Sequence, residues 1–202
     1  MSSVVGTSHH ENKVLGALLR SEAPLTGRAL ARVTGLSQSS AQRALVRLRQ
    51  AGLVEVQDVP PAILYRPNHD HLAMEAVVEL LQFDQRLRDK LSGLVATWAI
   101  QPSSFIVFGS VSLGTATTSS DVDVLVVRTA HLRADDPRWQ EQLTSLGAAL
   151  RSWTGRRASV IDLGLTDARS GFAQREPYLV EAEASGWLIA GQSLAALAGR
   201  RR

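Results

Sequence analysis

The hydrophobic positions of the first seventy residues recur with the period of an α-helix in three short stretches. Apolar residues three and four apart form one face of a helix, and the polar residues between them form the other. The pattern predicts helices over residues 10–21, 27–33 and 38–51. In the second of these, Leu30 and Val33 are expected to face inward.

The third predicted helix divides most clearly into an apolar and a polar face. Ser37 is a suitable N-cap for it and Gly52 a suitable C-terminal stop. Its apolar stripe has the spacing of a buried face and consists of Ala41, Ala44, Leu45 and Leu48. Its opposite face is made of Ser39, Gln42, Arg43, Arg47 and Gln50. Such side chains hydrogen-bond base edges and phosphates, and no carboxylate lies among them to repel a polyanion.

A very short link, Thr34-Gly35-Leu36, joins the second and third helices, which is the pattern of a helix-turn-helix. Two strand-like segments follow, over residues 53–57 and 63–66, and Pro60-Pro61 lies in the tight link between them. The first seventy residues are therefore predicted to form a helix-turn-helix followed by a hairpin wing.

The segment from His69 to Trp98 contains no glycine or proline except Gly93, and its leucines and valines recur at near-helical spacing. It predicts one long helix, or two in line. Such a helix either pairs with a second copy of the chain across a two-fold axis or packs as an ordinary core helix of the second domain.

Strand-like and helix-like stretches alternate after Pro102. Strands are predicted over residues 105–108, 122–127, 158–163 and 187–189, and helices over 110–115, 137–153 and 177–185. This alternation favours a mixed sheet covered by helices, so the fold class of the chain is predicted as α+β. The predicted organisation is a domain over 1–70, a connector over 71–100 and a second domain over 101–202.

Composition adds limits to this picture. Apolar residues make up 45% and charged residues 20% of the chain, as in an ordinary globular protein. No apolar run approaches the ~20 residues that cross a bilayer, so no membrane partner is expected. Cysteine is absent, which excludes disulfides and thiolate metal sites and makes the cytoplasm the expected location.

Positive charge is concentrated in the first third of the chain. Residues 1–70 carry eight lysines and arginines against five acidic residues, whereas residues 71–202 carry fourteen of each. No acidic residue lies between Glu22 and Glu55, although five arginines do. A local field of this kind attracts a polyanion.

The segment from about residue 10 to 70 resembles the winged helix-turn-helix of bacterial regulators, above all in the stretch from Leu36 to Val54. The resemblance implies that the third helix enters the major groove of double-stranded DNA and that the wing lies along the backbone. The expected DNA-binding residues are Ser37, Gln38, Ser39, Gln42, Arg43, Arg47 and Arg66. A winged helix used only for protein contacts is the alternative.

The stretch from Phe105 to Val127 carries the chemistry of the second domain. An apolar run ends in Gly109-Ser110, a hydroxyl-rich segment follows, and Asp121 and Asp123 open the next apolar run. Residues two apart on a strand point to the same side, so both carboxylates face one way. Convergent carboxylates beside a glycine-serine turn suit a divalent cation that carries a nucleoside triphosphate.

These motifs resemble the minimal nucleotidyltransferases of the polymerase-beta superfamily over about residues 95–192. The matching residues are Gly109, Ser110, Gly114, Ser120, Asp121, Asp123 and, as the third carboxylate on a later strand, Asp162. The resemblance implies that the three aspartates hold Mg²⁺ or Mn²⁺ and act in catalysis. It also implies that the glycines and serines bind the nucleotide.

One departure from that pattern keeps two functions open. The loop from Ser110 to Ser120 has no lysine or arginine, so cations near the phosphates must come from elsewhere, with Arg128, Arg156 and Arg157 as candidates. The first hypothesis is a homodimeric DNA-binding transcriptional regulator whose second domain binds Mg-nucleotide as sensor or catalyst. The second is an active, antitoxin-like nucleotidyltransferase that modifies a partner protein or a small-molecule hydroxyl and regulates its own expression.

Overall fold

The computed structural model of the chain describes residues 8–117 and 119–199. The chain divides into two compact units between Phe83 and Asp84, after the first residue of the helix Phe83–Ala96 and inside the predicted connector. In chain order the first unit contains α1 (His9–Leu19), β1 (Leu25–Thr26), α2 (Gly27–Thr34), α3 (Gln38–Gln50), β2 (Val54–Val59), β3 (Ala62–Pro67) and α4 (Met74–Leu81).

The three helices predicted for this unit are present, each within two residues of its expected bounds. The Ser37 hydroxyl accepts a hydrogen bond from the Ser40 backbone N–H at 3.2 Å, so the third helix begins at the expected N-cap. The predicted stripe of α3 is buried and packs against α1 and α2.

Val33 is an exception, because 63% of it is exposed. The buried residues of α2 are Leu30 and Ala31. At 3.6 residues per turn, Val33 lies about 110° from the middle of the face that these two form. The prediction that Val33 faces inward is therefore wrong.

The hairpin wing is present and is joined by a short additional strand. Antiparallel β2 and β3 pair from Val54 opposite Pro67 to Val59 opposite Ala62, and β1 pairs with the other edge of β3. The sheet order is β1-β3-β2. Tyr65 of β3 is buried in the helical core, which fixes the wing to the helices.

The predicted connector consists of two helices that belong to different cores. Met74 and Val77 of α4 are buried in the core of the first unit, whereas the buried residues of α5 lie in the core of the second. Leu72 and Leu80, which the periodicity included in one apolar stripe, are exposed.

In chain order the second unit contains α5 (Phe83–Ala96), β4 (Ser104–Phe108), α6 (Gly109–Ser112), β5 (Val122–Val127), α7 (Pro137–Thr154), β6 (Ala158–Leu163), α8 (Leu165–Ala173), α9 (Pro177–Ser185), β7 (Trp187–Gly191) and α10 (Leu194–Leu197). The strands form one sheet in the order β6-β5-β4-β7. β4 is antiparallel to both neighbours, whereas β5 and β6 run parallel. This is the mixed sheet that the alternating pattern predicts.

Helices cover both faces of this sheet. Val122, Val124 and Val126 of β5 pack in a core with α5 and α7, and Leu125 and Val127 pack on the opposite face with α8, α9 and α10. Because side chains alternate along a strand, Asp123 belongs to the second of these faces. Within the described ranges, no helix combines the length and the apolar character that crossing a bilayer requires.

Candidate functional site

Two carboxylates lie at the start of β5, on the sheet face covered by α8, α9 and α10. Asp121 directly precedes the strand and is exposed, and Asp123 is its second residue and is half-buried. Val122, between them, is fully buried in the opposite core. That burial fixes the strand's orientation, so the two carboxylates share one side.

The glycine-serine turn comes directly against this pair. β4 ends at Phe108, which is opposite Asp123 in the antiparallel β4–β5 pair, and Gly109 follows with φ of 73°. A Cβ atom at Gly109 would collide with the Asp123 carboxylate. Only glycine therefore permits this close approach in this backbone conformation.

Burial raises the pKa of Asp123 above its ordinary value. The nearby Ser159 hydroxyl acts in the opposite direction and lowers this pKa, while the negative charge of Asp121 raises it further. A carboxylate held beside a second one in a partly desolvated place is stabilised when a cation binds.

The hydroxyl-rich loop after α6 is held by its own hydrogen bonds. The Thr115 backbone N–H donates to the Ser110 carbonyl at 2.9 Å, across a turn in which Gly114 has φ of 67°. The Ser120 hydroxyl accepts from the Thr117 backbone N–H at 2.9 Å. Ser110 lies in the turn beside Asp123, whereas Gly114 and Ser120 shape the loop that leads to Asp121.

Asp162 does not join the carboxylate pair. In the parallel β5–β6 pair Asp123 is beside Ser159, and Asp162 is beside Val126. The offset of three positions is odd, so the Asp162 side chain points to the opposite face of the sheet from Asp123. The offset along the strand is roughly 10 Å. The prediction that Asp162 is a metal ligand and a catalytic carboxylate is therefore wrong.

Asp162 belongs instead to a largely buried polar network. Arg128 Nε donates to Asp162 Oδ1 at 2.9 Å, and Trp139 Nε1 donates to Oδ2 at 3.2 Å. Only 13% of the Arg128 side chain and 18% of the Asp162 side chain are exposed. The carboxylate links β6 to the end of β5 and to α7, which also takes Arg128 away from the candidate phosphate-binding cations.

The residues that remain at the pair fit a metal that arrives with a phosphate ligand. Across residues 8–117 and 119–199, no group of three histidine or acidic side chains is arranged to hold a metal ion. Mg²⁺ is commonly held by one or two carboxylates together with substrate phosphates and water. Asp121 and Asp123 have the donor chemistry of such a carboxylate pair, and a triphosphate would complete the coordination.

Arginines gather on the β6 side of the pair. Arg156 Nη1 donates to the carbonyl oxygens of Ser120, at 3.0 Å, and Thr117. A cleft of about 410 Å³ is lined by Ser119, Ser120, Asp121, Arg151, Gly155, Arg156 and Arg157. Two of the three cation candidates, Arg156 and Arg157, thus lie next to Asp121. Sequence reasoning missed Arg151, because its place in the last turn of α7 gives no local sign of a site.

The predicted DNA-binding residues differ in how free they are. Gln38, Ser39, Gln42 and Arg43 are exposed on the first half of α3. Arg43 Nη2 is 3.1 Å from the Ser40 hydroxyl, which leaves most of its guanidinium open.

Three other predicted DNA contacts have partners within the first unit. The Ser37 hydroxyl caps α3. Arg47 pairs with Glu11 at 3.3 Å, and that carboxylate is itself buried in the capping box of α1. Arg66 pairs with Glu55 across the wing at 2.6 Å.

Comparisons with protein families match each unit separately. A MarR family model matches residues 11–62, and a nucleotidyltransferase domain model matches residues 85–157. The second match includes the glycine-serine turn and the two aspartates at the start of β5, Asp121 and Asp123, and it ends before Ser159 and Asp162. No curated protein is significantly similar to the chain.

Solved structures similar to the chain share little sequence with it. A crystal structure of a toxin-antitoxin with AMP-PNP is 21% identical over 56% of this chain and 82% of its own, with a TM-score of 0.39. A toxin-antitoxin MntA-HpeT mutant is 19% identical over the same shares, with a TM-score of 0.38. TrmBL2, an archaeal chromatin protein, is 16% identical over 76% of this chain and 62% of its own, with a TM-score of 0.29.

The family matches agree with the structure. The MarR match covers the helix-turn-helix and most of its wing, and the nucleotidyltransferase match covers the glycine-serine turn and the aspartate pair. The chain joins an N-terminal winged-helix domain of the MarR family to a C-terminal nucleotidyltransferase domain.

Proposed function

We propose that the protein is a DNA-binding transcriptional regulator whose nucleotidyltransferase domain binds a metal–nucleoside triphosphate complex. The observation that carries the nucleotide half is the approach of Gly109 to the Asp123 carboxylate, which a side chain at position 109 would displace. A turn this close to Asp123 brings its backbone N–H groups near a cation held by the carboxylate pair, where the phosphates of the nucleotide would lie.

In this proposal Asp121 and Asp123 hold Mg²⁺ or Mn²⁺, which would bridge to the phosphates and neutralise part of their charge. The Gly109-Ser110 turn donates to the phosphate oxygens. Gly114 and Ser120 keep the following loop in the shape that brings Asp121 to the same place. The Ser159 hydroxyl donates a hydrogen bond to the Asp123 carboxylate.

Nucleotide binding is tested by titrating each of the four common nonhydrolysable triphosphates, with Mn²⁺, into the full chain and into Asp121→Asn/Asp123→Asn. The double variant should bind at least tenfold more weakly, since each carboxylate supplies a charged metal contact. Asp89→Asn, on the exposed surface of α5, is the matched control. Equal affinity in the double variant and the parent would refute the site.

DNA binding rests on the exposed polar face of α3 and on the basic field around it. We expect Arg43→Ala to weaken binding to a fragment from upstream of the protein's own gene and to reduce the salt dependence by about one phosphate contact. Arg133→Ala, in an exposed ion pair of the second unit, is the control. Unchanged mobility shifts in a combined Gln42→Ala/Arg43→Ala variant would remove the DNA-reading proposal.

Arg47 is a poor probe of DNA binding, because its loss leaves the buried Glu11 without a cation. Its substitution should lower stability as well as affinity. Binding to symmetric half-sites would require a homodimer. The molar mass of the protein, measured by light scattering with and without DNA, tests for this dimer.

An active nucleotidyltransferase is the second candidate, favoured by the match over residues 85–157 that includes both aspartates. Incubation with Mg²⁺ and labelled ATP, CTP, GTP or UTP, with and without cell extract, separates the two functions. Label on a protein or small-molecule hydroxyl, lost in Asp121→Asn/Asp123→Asn, would favour the enzyme. Nucleotide binding without label transfer would favour the regulator.

A further inference from the structure

The cleft on the β6 side of the aspartate pair has the composition of an anion site. Three arginines, two serines and a glycine line it, with Asp121 as its single acidic residue. Its volume of about 410 Å³ is large enough for a phosphate group together with several further heavy atoms of a ligand. We propose that this cleft binds the phosphate group of a second ligand, a phosphate ester, independently of any metal ion.

Two of the cleft's arginines have no competing partner. The guanidinium groups of Arg151 and Arg157 make no hydrogen bond or ion pair with any residue in the part of the chain that the structure describes. Both are exposed. Guanidinium groups bind phosphate oxygens through paired N–H donors. Two unpaired guanidinium groups at one cleft therefore favour a ligand with a phosphate group over a neutral ligand.

Arg156, the third arginine of the cleft, stabilises the wall between Arg151, Arg157 and Asp121. Arg156 donates to the carbonyl oxygens of Ser120 and Thr117, which ties the start of β6 to the loop before β5. We assign Arg156 a positional role, because its Nη1 is used on these two backbone carbonyls. The Ser119 and Ser120 side chains thereby stay on the rim of the cleft beside Asp121.

The cleft is separate from the turn proposed to hold the triphosphate. In the sheet order β6-β5-β4 the glycine-serine turn follows β4, and Arg157 directly precedes β6. β5, which carries the aspartate pair, lies between them. Strands are about 4.8 Å apart, so the two anion-binding regions lie on opposite sides of the pair, roughly 10 Å from each other.

Asp121 makes the charge balance of the cleft testable. Its carboxylate repels an anion bound by Arg151 and Arg157. Removal of this charge by Asp121→Asn should therefore strengthen anion binding in the absence of metal. The same substitution should weaken metal–nucleotide binding, so one variant moves the two sites in opposite directions.

The test is isothermal titration of the full chain in EDTA with two probes. Glycerol 3-phosphate represents small phosphate esters, and a 5′-phosphorylated thymidine dinucleotide represents a nucleic acid end. We expect at least one probe to bind, and we expect Arg151→Gln/Arg157→Gln to reduce that affinity about tenfold or more. Arg133→Gln/Arg138→Gln, two exposed arginines of the same unit, is the control and should leave it unchanged.

The preferred probe identifies the source of the phosphate. No binding of either probe would overturn the proposal, as would equal losses in the control variant. An equally large loss of Mn²⁺–nucleotide affinity in Arg151→Gln/Arg157→Gln would also overturn it, because the cleft would then be part of the triphosphate site. Failure of metal–nucleotide binding with intact probe binding would refute the proposed function alone.

Discussion

Gly109 shows how one residue determines the geometry of the candidate site. Its positive φ is open to glycine at little energetic cost, and its missing side chain leaves space for the Asp123 carboxylate. The positive φ and the need for free space next to Asp123 both require glycine at position 109. A substitution here therefore changes the backbone and the metal-binding geometry together.

Gly109→Ala is expected to lower the free energy of unfolding by about 1–3 kcal/mol, because a non-glycine residue is strained in this region of φ. It should also abolish metal–nucleotide binding, since the new methyl group displaces Asp123. Urea unfolding and nucleotide titration measure the two effects. Gly93→Ala, in α5 where nothing lies near the new atom, should keep nucleotide binding and stabilise by up to about 1 kcal/mol. Normal binding by Gly109→Ala would contradict the site geometry.

Asp123 gives a prediction with a definite dependence on pH. Its raised pKa means that the folded protein binds this proton more tightly than the unfolded chain does. The charged carboxylate therefore destabilises the fold above the raised pKa, and this effect disappears as the pH falls towards the ordinary value of 3.8.

Asp123→Asn removes that charge, so the variant should melt at a higher temperature than the parent at about neutral pH, where the parent's carboxylate is charged. The difference should shrink as the pH is lowered through the carboxylate range. Thermal melts in metal-free buffer across this range provide the measurement. A difference that stays constant with pH would show that the charge of Asp123 is not its cause.

At the level of elements, the register between β5 and β6 decides which polar residues meet. It puts Ser159 next to Asp123 and turns Asp162 towards Trp139 on the other face. A shift of one residue would exchange the faces of every β6 side chain. The candidate site thus depends on strand pairing as much as on residue type.

Asp162→Ala is expected to cost about 2–4 kcal/mol, because it leaves the largely buried Arg128 guanidinium without its carboxylate. The folded variant should bind metal–nucleotide with unchanged affinity, because Asp162 is not on the face of Asp121 and Asp123. Chemical unfolding and nucleotide titration separate these two outcomes. Loss of nucleotide affinity in a folded Asp162→Ala variant would restore the three-carboxylate site.

Ser159→Asp supplies the reciprocal experiment. It adds a third carboxylate on the correct face, beside Asp123. Free Mn²⁺ should then bind more tightly than it does to the parent, because three carboxylates form a more complete oxygen site than two. Unchanged Mn²⁺ affinity in this variant would count against the β5–β6 register as the reason for the missing third ligand.

At the scale of the whole molecule, the chain consists of two units with separate cores. Met74 and Val77 complete the core of the first, and Leu87 and Leu91 belong to the core of the second. The boundary between the two hydrophobic cores therefore lies in the short link between α4 and α5.

A fragment ending at Phe83 should unfold cooperatively, whereas one ending at Asp70, the predicted domain boundary, should be less stable by about 3–6 kcal/mol. The reason is that the shorter fragment loses the buried side chains of Met74 and Val77. Urea unfolding of the two fragments gives the comparison. Equal stability would mean that α4 contributes little to the first core.

The sequence predicted most of the fold because the relevant signals are local. Caps, apolar stripes and strand alternation extend over four to fifteen residues, and helical and strand periods are fixed by backbone geometry. Those signals located α3 with its cap at Ser37 and placed β5 and β6 at their observed bounds. The exposure of Val33 escaped them, because the centre of a buried face depends on the neighbouring helices.

By itself the sequence determined the two domain types, the polar face of α3, and the aspartate pair on one strand behind a glycine-serine turn. The tertiary structure decided which distant residues meet: Asp162 with Arg128 and Trp139, Ser159 with Asp123, and Arg151 and Arg157 with Asp121. The physical reason is that neighbours within an element follow from the period of the backbone. Contacts between β5, α7 and β6 depend on the register and packing of elements whose contacting residues are up to 36 positions apart in the sequence, from Asp123 to Ser159.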